Sequence, residues 1–480
     1  MNPKLYTKKD LAYVFKGVKL KTPLFLHQAQ VVTWALLRDR IALWLGIGTG
    51  KTYAALTIGR LWGCNRILVV APNSVLPTWK QETLQHTDFR AVILSGTKNE
   101  RELKLRRSDA HVFVINYEGL GVVFGKWQKY NDREGNEHKR RITNYDALKE
   151  NKFDCVIFDE CHHLKDGRAA QTGLAWELSR RAKKAMLLTG TPVATSLLDL
   201  WSEFFVLDSG RVLGTSYWKF RMKYFKEHGF NWKPKKDAKK NILDKIKENT
   251  VHYKRSDCID LPDRLDEVRL VTLSEKQQLV YNKVRAGLKV KLGEGQLSKT
   301  NVLVQAGKLS QICGGSLILE GGKINRFKNN PKLKELLNVL EEVEGKCIVY
   351  HSFVEEGRII GEALRKRGIL YCAIRGEVKD KQTEIETFKN KKNVKVLLAH
   401  PKSGGEGLNL QCANVVIFYS TPYSALIVEQ CEGRVFRAGQ KDSCLFIRIV
   451  AENTIDMRIQ AVVKNRGNVS QAILEYVRSG

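Results

Sequence analysis

Short apolar runs recur along this chain in two groups, and this pattern constrains the fold more than any other feature. The runs are bounded by Gly, Asn, Asp or Lys and alternate with helical or turn-rich stretches. Such runs are typical of strands that are buried on both faces of a parallel sheet. The first group begins at Ile41, Ile67, Ala91, Val112, Cys155 and Ala185, and the second at Cys347, Tyr371, Val394, Val415 and Phe446. The sequence therefore predicts an α/β fold with two lobes.

The region between the two groups, from about Thr195 to Glu344, has a mainly helical pattern and is more basic. This change of pattern predicts helical protrusions between the lobes. We therefore divide the chain into a first lobe over residues 1–210, a helical, basic protrusion and linker over 211–330, and a second lobe over 331–480.

Within this region, Lys219–Arg255 holds 13 Lys or Arg against 4 Asp or Glu, interleaved with aromatic residues. Lys235 and Lys236 are therefore candidate phosphate contacts, although a solvated helical face explains the same pattern equally well. A second insertion, from about Gly125 to Tyr145, contains the turn-like run NDREGN between polar, aromatic-bearing stretches and predicts a β-hairpin.

Charge and composition restrict the class of protein. The 480 residues carry a formal net charge of +30, which favours a polyanionic partner, with nucleic acid first. A hydrophobic content of 43% argues against global disorder. The first residues do not form a secretory signal, and no apolar run reaches the roughly 18 residues of a membrane span. Ten scattered cysteines without a C-x-x-C pair indicate reduced core thiols rather than a metal site.

The run Gly46–Thr52, GIGTGKT, lies between a predicted strand and a predicted helix. In a P-loop, small residues in this context let backbone N–H groups approach phosphates at a helix N-terminus. Lys51 would reach the β- and γ-phosphates of ATP, and Thr52 would hold Mg²⁺. The other predicted loop contacts are Gly46, Gly48, Thr49 and Gly50. Leu45 stands where the strict pattern has glycine, so a structural glycine turn is the alternative.

About a hundred residues later, the run CVIFDECHHL places Asp159 and Glu160 at the carboxyl end of a buried strand, where α/β sheets bind their ligands. Asp159 would orient hydrated Mg²⁺, and Glu160 would polarise the attacking water. An isolated acidic pair at a strand end is ordinarily a solvated turn, but the preceding P-loop makes that interpretation weaker. His162 and His163 are expected to point apart and to serve coupling or packing rather than metal binding.

Two further runs complete the candidate chemistry. Thr189 and Thr191 in LLTGTP could hydrogen-bond to the acidic pair. Arg434 and Arg437 in QCEGRVFRAGQ are three residues apart, on what is predicted to be one helical face. They could stabilise charge on the transferring phosphoryl group. Surface charge is the alternative for this arginine pair.

The ordered set GIGTGKT, VVAPNSVLPTWKQE, FDECHHLKD, LTGTPVATSLLDLW, SGGEGLNL and QCEGRVFRAGQ resembles the Swi/Snf-type DNA translocases of helicase superfamily two. The resemblance covers nearly the whole chain and is most specific in the last motif. It implies two RecA-like lobes that close on ATP and step along duplex DNA without necessarily separating its strands. The family has an acidic, methionine-containing stretch before its P-loop, where this chain has LWLGI, and asparagine where this chain has Thr195. These two departures leave the subfamily open.

The same resemblance assigns further residues by motif position. Gln28 corresponds to the glutamine that reads adenine, with Gln30 as a close competitor, and Gln430 and Gly407 belong to the nucleotide site. The DNA-tracking elements correspond to Ser74, Trp79, Tyr117, Ser403, Gly404 and Asn409. For Trp79 and Tyr117, packing in the aromatic core is an equal alternative.

These features predict a compact, monomeric, ATP- and Mg²⁺-dependent translocase on duplex or branched DNA, without the appendages of a chromatin remodeller. One alternative is an RNA helicase or strand-separating enzyme. Another is a DNA-binding module that binds nucleotide without hydrolysing it. The expected location is the cytoplasm, at a nucleoid or in a phage-infected cell, with the nucleus as alternative and no membrane partner.

Overall fold

The computed structural model describes most of the chain. The described residues are 6–46, 48–131, 137–167, 169–190, 197–228, 231–253, 258, 262–293, 299–374, 380–401, 408–437, 439–465 and 476. Contacts between Cα atoms divide the chain into two units, Met1–Asp260 and Leu261–Gly480. Each unit contains one parallel sheet flanked by helices, which confirms the predicted α/β class. No described helix is long and apolar enough to cross a membrane.

The strands of the first unit form one large sheet and two hairpins. They are β1 (Arg40–Leu45), β2 (Ile67–Ala71), β3 (Ala91–Ile93), β4 (Val112–Asn116), β5 (Gly125–Asn131), β6 (Glu137–Thr143), β7 (Cys155–Asp159), β8 (Lys184–Thr189), β9 (Phe225–His228), β10 (Asn231–Pro234) and β11 (Thr250–Tyr253). The sheet has the order β11-β1-β8-β7-β2-β4-β3, and all its pairs are parallel. All six apolar runs predicted as strands in this half lie in that sheet.

Helices cover both faces of the first sheet. They are α1 (Lys8–Val14), α2 (Leu26–Leu36), α3 (Lys51–Leu61), α4 (Leu76–His86), α5 (Lys98–Arg107), α6 (Tyr117–Val123), α7 (Tyr145–Glu150), α8 (Ala170–Arg181), α9 (Asp199–Asp208), α10 (Tyr217–Tyr224) and α11 (Ala238–Ile246). Alternate residues of β1 enter different cores: Ala42 and Trp44 pack on one face, and Ile41, Leu43 and Leu45 on the other. This two-sided burial explains why the strands read as continuous apolar runs.

The second unit repeats the design with a smaller sheet. Its strands are β12 (Arg264–Val271), β13 (Ser316–Ile318), β14 (Ile324–Arg326), β15 (Cys347–Tyr350), β16 (Tyr371–Ile374), β17 (Val396–Ala399), β18 (Val415–Phe418) and β19 (Cys444–Ala451). The parallel order is β12-β19-β18-β15-β17-β16, while β13 and β14 pair as a separate hairpin. The five runs predicted as strands in this half are confirmed.

The helices of the second unit follow the same alternation with strands. They are α12 (Glu275–Gly293), α13 (Lys299–Gly314), α14 (Pro331–Glu342), α15 (Val354–Lys366), α16 (Lys381–Asn390), α17 (Ala425–Glu432) and α18 (Ile455–Lys464). Lys332 of α14 is 1% exposed and pairs with Asp456 of α18 at 2.7 Å, so a buried ion pair joins two of these helices.

The region between the lobes contains the predicted helices and also strands that the sequence did not predict. It contains α10–α13, but β9 and β10 form an antiparallel hairpin, β11 completes the edge of the first sheet, and β12 forms an edge of the second. These strands escaped prediction because the first three are four residues long and β12 is largely exposed. The predicted hairpin near residue 125 is confirmed as β5 and β6; residues 132–136 of its turn lie outside the described residues.

Candidate nucleotide site

Two glycines of the loop between β1 and α3 adopt backbone conformations that other residues rarely adopt. Gly48 and Gly50 have φ angles of +84° and +77°, in the left-handed region that favours glycine. The Thr49 hydroxyl donates to the Gly46 carbonyl oxygen at 2.7 Å, and the Gly46 N–H donates to the Tyr253 carbonyl oxygen at 3.0 Å. The loop is thereby tied to β11 and leads directly into α3, which begins at Lys51. Helix N-termini of this kind favour anions.

Gln28 lies against this loop. Its side-chain Oε1 accepts from the Phe25 N–H at 2.9 Å, and its Nε2 donates to the Thr49 carbonyl oxygen at 3.1 Å. A Cβ atom on Gly50 would overlap that Nε2, so a larger residue here would displace the Gln28 amide as well as strain the backbone at φ +77°. The competing Gln30 instead donates to Tyr6 and accepts from Tyr253. The structure therefore brings Gln28 to the loop, and its contact with adenine stays a prediction.

The acidic pair lies where the sequence placed it, at the end of β7. Asp159 is the last residue of the strand, and Glu160 follows with φ +50° and ψ +56°, a left-handed conformation that costs a non-glycine residue about 1–3 kcal/mol. This turn sets the Glu160 carboxylate 3.5 Å from the Lys51 ammonium, with both side chains largely buried. The P-loop lysine and the predicted water-polarising carboxylate thus meet in one place. Backbone strain of this kind concentrates at functional sites.

Asp159 is held by donors on both carboxylate oxygens. Its Oδ1 accepts from the Glu160 N–H at 3.0 Å, and its Oδ2 accepts from the Trp79 indole N–H at 2.8 Å. Burial, together with the nearby charge of Glu160, raises the pKa of Asp159 to about 6, although Lys51 and the indole N–H oppose the increase. A bound cation would favour the ionised form of this carboxyl group.

The residues present fit a magnesium–nucleotide site. Mg²⁺ is ordinarily bound by one or two carboxylates together with substrate phosphates and water, rather than by a cage of protein ligands. Asp159 supplies a buried carboxylate, and Thr52 supplies a hydroxyl in the first turn of α3. Among the described residues, no group of three or more His, Cys, Asp or Glu is arranged to bind a metal ion through protein ligands alone.

Trp79 and Tyr117, for which DNA tracking and packing in the aromatic core were equal alternatives, are buried beside Asp159. Both are 1% exposed, so neither presents a surface to a nucleic acid in this structure. Trp79 donates to the Asp159 carboxylate, and the Tyr117 hydroxyl donates to the Asp159 carbonyl oxygen at 2.8 Å. The aromatic-core alternative describes their burial, but their polar atoms point to Asp159. Both residues therefore position Asp159, Trp79 through its carboxylate and Tyr117 through its carbonyl oxygen, and DNA contact by either of them stays a prediction.

The two histidines after the acidic pair do not point apart as predicted. Their ring centroids are 4.8 Å apart, and His163 also stacks on Tyr117 with centroids 4.9 Å apart. His162 Nδ1 lies 3.5 Å from a Glu160 carboxylate oxygen. Burial lowers the pKa of His162, so near neutral pH this contact is not an ion pair.

Sequence reasoning missed Glu203, which lies behind the acidic pair. This α9 residue is 5% exposed, and its carboxyl group accepts from the Cys161 thiol at 3.3 Å. Burial raises the pKa of Glu203 to about 8. A glutamate within the apolar pattern of α9 was the only local signal, and its contact with Cys161, 42 residues away, was not visible in that pattern.

The other first-unit candidates are distributed around this site and over the basic region. Thr189 ends β8 and is 2% exposed, while Thr191 lies outside the described residues. Ser74 is half-buried in a 3₁₀ turn, Asn73–Val75, that leads into α4. Lys235 and Lys236 are exposed, and the Lys235 ammonium donates to the Met222 carbonyl oxygen at 2.8 Å.

In the second unit, Arg434 and Arg437 do not lie on a helix as predicted. Helix α17 ends at Glu432, with Gly433 as its C-cap, and both half-buried arginines follow in a turn. Their backbone atoms are fixed by contacts with the preceding motif: the Leu410 N–H donates to the Arg434 carbonyl oxygen, and the Gln411 amide donates to that of Arg437.

The remaining candidates of this unit are only partly described. Gln430 is 5% exposed within α17, and the Asn409 side chain accepts from the Gln411 N–H at 3.3 Å. Ser403, Gly404 and Gly407 lie outside the described residues.

Comparison with known families matches nearly the whole chain. A family model described as the SNF2-related domain matches residues 18–316, and one described as the helicase conserved C-terminal domain matches residues 329–439. The chain is 26% identical to protein p41 of Acyrthosiphon pisum secondary endosymbiont phage 1 over 94% of this chain and 97% of that protein.

The chain is also 26% identical to an uncharacterized ATP-dependent helicase of Mycoplasma genitalium, over 85% of this chain but only 37% of the Mycoplasma protein. Among solved structures, the Sulfolobus solfataricus SWI2/SNF2 ATPase core in complex with dsDNA matches 96% of this chain and 94% of its own, with a TM-score of 0.42 and 22% identity.

Proposed function

This chain belongs to the SNF2-related family, and from that premise we propose that it is a DNA-stimulated ATPase that moves along duplex or branched DNA. The observation that carries the proposal is the 3.5 Å approach of Lys51 to Glu160, beside the glycine-containing loop that leads into α3. An acidic pair at an ordinary solvated turn would not need a strained backbone and a buried lysine beside it. Hydrolysis, rather than nucleotide binding alone, is the function that uses both groups.

The proposed chemistry needs positioning and charge more than covalent catalysis. The loop amides from Gly46 to Gly50 would surround the phosphates, and Lys51 would contact the β- and γ-phosphates. Asp159 and Thr52 would hold Mg²⁺, which neutralises phosphate charge when bound. Glu160 would orient the attacking water and accept its proton. Gln28, which already donates to the Thr49 carbonyl oxygen of the loop, would contact the adenine base.

Four residues of the second unit keep the roles that their motif positions predict. Arg434 and Arg437 would stabilise the charge that develops on the transferring phosphoryl group. Gln430 and Gly407 would contact the nucleotide. The backbone hydrogen bonds around the two arginines support this role, because a residue that stabilises a transition state must be held in place.

The DNA surface is proposed from charge and exposure. Lys235 and Lys236 are exposed in the basic region, and Arg221 lies over two aromatic rings there, with its guanidinium carbon 4.7 Å from the Trp218 ring centroid and 4.3 Å from that of Trp232. Such cation and ring clusters are common where proteins contact nucleic acids. Ser74, Ser403, Gly404 and Asn409 are the further proposed contacts. A function on DNA is compatible with the expected location in the cytoplasm, at a nucleoid or in a phage-infected cell, and with the nucleus as the alternative.

The test is the steady-state ATPase rate without nucleic acid and with single-stranded DNA, duplex DNA, branched DNA or RNA, at matched low salt. Lys51→Ala is the inactive blank, and Lys149→Ala, at an exposed lysine of α7, is the matched control. Stimulation by duplex or branched DNA that Lys51→Ala abolishes is the expected result. Stimulation by RNA or single strands alone would favour an unwinding helicase instead.

Glu160→Gln separates hydrolysis from binding. The amide keeps the size of the side chain but cannot accept a proton, so ATP binding should persist while phosphate release stops. A wild-type protein that binds ATP and DNA but shows no turnover under any condition would instead support the non-hydrolysing binding module.

A further inference from the structure

Strands β5 and β6 form a hairpin, and we call its residues 126–131 and 137–142 the ribbon. It is inserted between α6 and α7. At its base, Gly125 is buried and the Asn144 N–H donates to the Phe124 carbonyl oxygen at 2.8 Å. Beyond the base, residues 126–131 are all exposed, and Trp127 has 64% of its surface accessible. The ribbon thus projects from the first unit.

The pairing register distributes positive charge over both faces of the ribbon. Residues directly opposite in an antiparallel pair share a face. One face therefore carries Trp127 opposite Arg141 and Lys129 opposite Lys139. On the other face, Gln128 is opposite Arg140, and Lys126 lies one pair further towards the base.

The charge on the ribbon is unbalanced. Its described strands hold five Lys or Arg and one acidic residue, Glu137, so five minus one leaves +4. Glu137 pairs with Lys129 at 3.1 Å, but both side chains are more than half exposed, and an exposed ion pair contributes little stability. Lys129 also lies directly opposite Lys139, and like charges directly opposite each other destabilise a free hairpin.

Isolated two-stranded hairpins are marginally stable in water, because they have no second layer on which to bury a face. A ribbon that also exposes a tryptophan and concentrates like charge gains most from a partner of opposite charge. The seven-residue strands are roughly 20 Å long, and a two-stranded ribbon fits the major groove of B-DNA, which is about 12 Å wide. Cations on both faces would then meet phosphates on both walls of the groove.

We propose that the ribbon is a separate duplex-DNA-binding element that enters the major groove. This inference deepens the proposed function and rests on it, since it adds a contact to the DNA on which the motor works. Duplex DNA suits the ribbon better than a single strand does, because only a groove presents phosphates to both faces at once.

The first test measures duplex affinity against salt concentration. The ribbon variant combines Lys129→Gln, Lys139→Gln and Arg141→Gln, which removes the positive charges from one face. The control variant makes the same Lys→Gln change at three exposed positions of the second unit, Lys366, Lys389 and Lys392. Each phosphate contact contributes about 0.9 to the slope of log affinity against log salt. The ribbon variant should therefore lower the slope by about 1–3, while the control leaves it unchanged. Equal slopes for the two variants overturn the proposal.

The second test locates the contact on DNA. In a deletion variant, residues 126–142 are replaced by Asn-Gly, a sequence that favours a tight hairpin turn between Gly125 and Thr143. The wild-type protein should protect guanine N7, a major-groove atom, from methylation, and the deletion should lose part of that protection. Identical footprints refute the proposal, as does a change of oligomeric mass on deletion with DNA binding intact.

The design separates two failures. If duplex DNA does not stimulate the wild-type ATPase, the proposed function fails whatever the ribbon does. If stimulation is normal and the ribbon variants match the controls in affinity, slope and footprint, only the ribbon proposal fails.

Discussion

Replacement of Trp79 by phenylalanine should change how Asp159 titrates. The substitution keeps an aromatic ring in a site that is 1% exposed but removes the indole N–H that donates to Asp159 Oδ2 at 2.8 Å. A hydrogen bond to a charged group contributes about 1.5–3 kcal/mol, and 1.36 kcal/mol corresponds to a tenfold change in a protonation equilibrium. The indole N–H favours the ionised carboxylate, so its loss should raise the pKa of Asp159 above its present value of about 6.

The assay is the ATPase rate between about pH 5.5 and pH 9, at saturating ATP and a magnesium concentration below saturation, because a bound cation would itself hold the carboxyl group ionised. Because the ionised carboxylate is the form that holds the metal, the acid-side midpoint of the profile should move up by roughly one to two pH units in Trp79→Phe. Above that midpoint, the rate should approach the wild-type value. Activity lost equally at every pH would indicate that the tryptophan ring is needed only for packing.

Trp34 offers a matched control for the packing part of the effect. It is 0% exposed in α2, and its indole nitrogen has no hydrogen-bond partner in the part of the chain that the structure describes. Trp34→Phe therefore makes a similar change of volume without removing a hydrogen bond. If this variant shifts the acid-side midpoint as far as Trp79→Phe does, the explanation through Asp159 is refuted.

Three further predictions concern other parts of the first unit. Glu203→Gln should remove a pH dependence of stability. Because the folded pKa of Glu203 is about 8, the wild type is most stable below the unfolded pKa and loses up to about 4 kcal/mol of unfolding free energy as pH rises to about 8. Denaturation of both proteins at pH 5 and pH 8.5 measures this difference. Gly50→Ala should weaken ATP binding at least about tenfold in a titration, because the added Cβ would displace the Gln28 amide and strain the backbone. The control Gly63→Ala, at φ +71° in open space, should lower stability without changing ATP affinity. Lys235→Gln with Lys236→Gln should lower the salt slope of DNA binding by about 1–2; an unchanged slope would return these lysines to a solvated face.

The sequence predicted the interior of both sheets well because their strands are buried on two faces. A strand such as β2, Ile67–Ala71, is apolar at every position and is bounded by polar residues, so local pattern alone identifies it. The edge strand β12 is exposed at most positions and resembles a polar segment. Its place in the sheet depends on pairing with β19, about 180 residues later, which no local pattern contains.

The candidate site shows the same limit. The P-loop and the acidic pair were predictable because each has its chemistry within a few neighbouring residues. Trp79 and Tyr117 were identified as important but assigned to DNA, because their contacts with Asp159 span 80 and 42 residues. Helix α17 ends at Glu432, before Arg434, and helical periodicity does not include that stop.

The burial of Trp79 and Tyr117 gives a short physical route between the proposed DNA surface and the nucleotide site. Trp79 lies on α4, directly after the turn that holds Ser74, and Tyr117 begins α6. Both helices follow strands, β2 and β4, and begin at the carboxyl ends of the parallel strands, where β7 ends in Asp159. One aromatic donor holds the carboxylate and the other holds the carbonyl oxygen of the same residue.

Coupling through this route requires DNA to favour one of two arrangements of these hydrogen bonds, since a ligand shifts an equilibrium only through its differential affinity for the two states. A carboxylate with a pKa near 6 is suited to such control, because a small change in its donors alters its charge near neutral pH. Loss of the indole N–H should therefore reduce the DNA-stimulated rate more than the basal rate. A variant with both rates reduced in the same proportion would show that Trp79 supports the nucleotide site without connecting it to DNA.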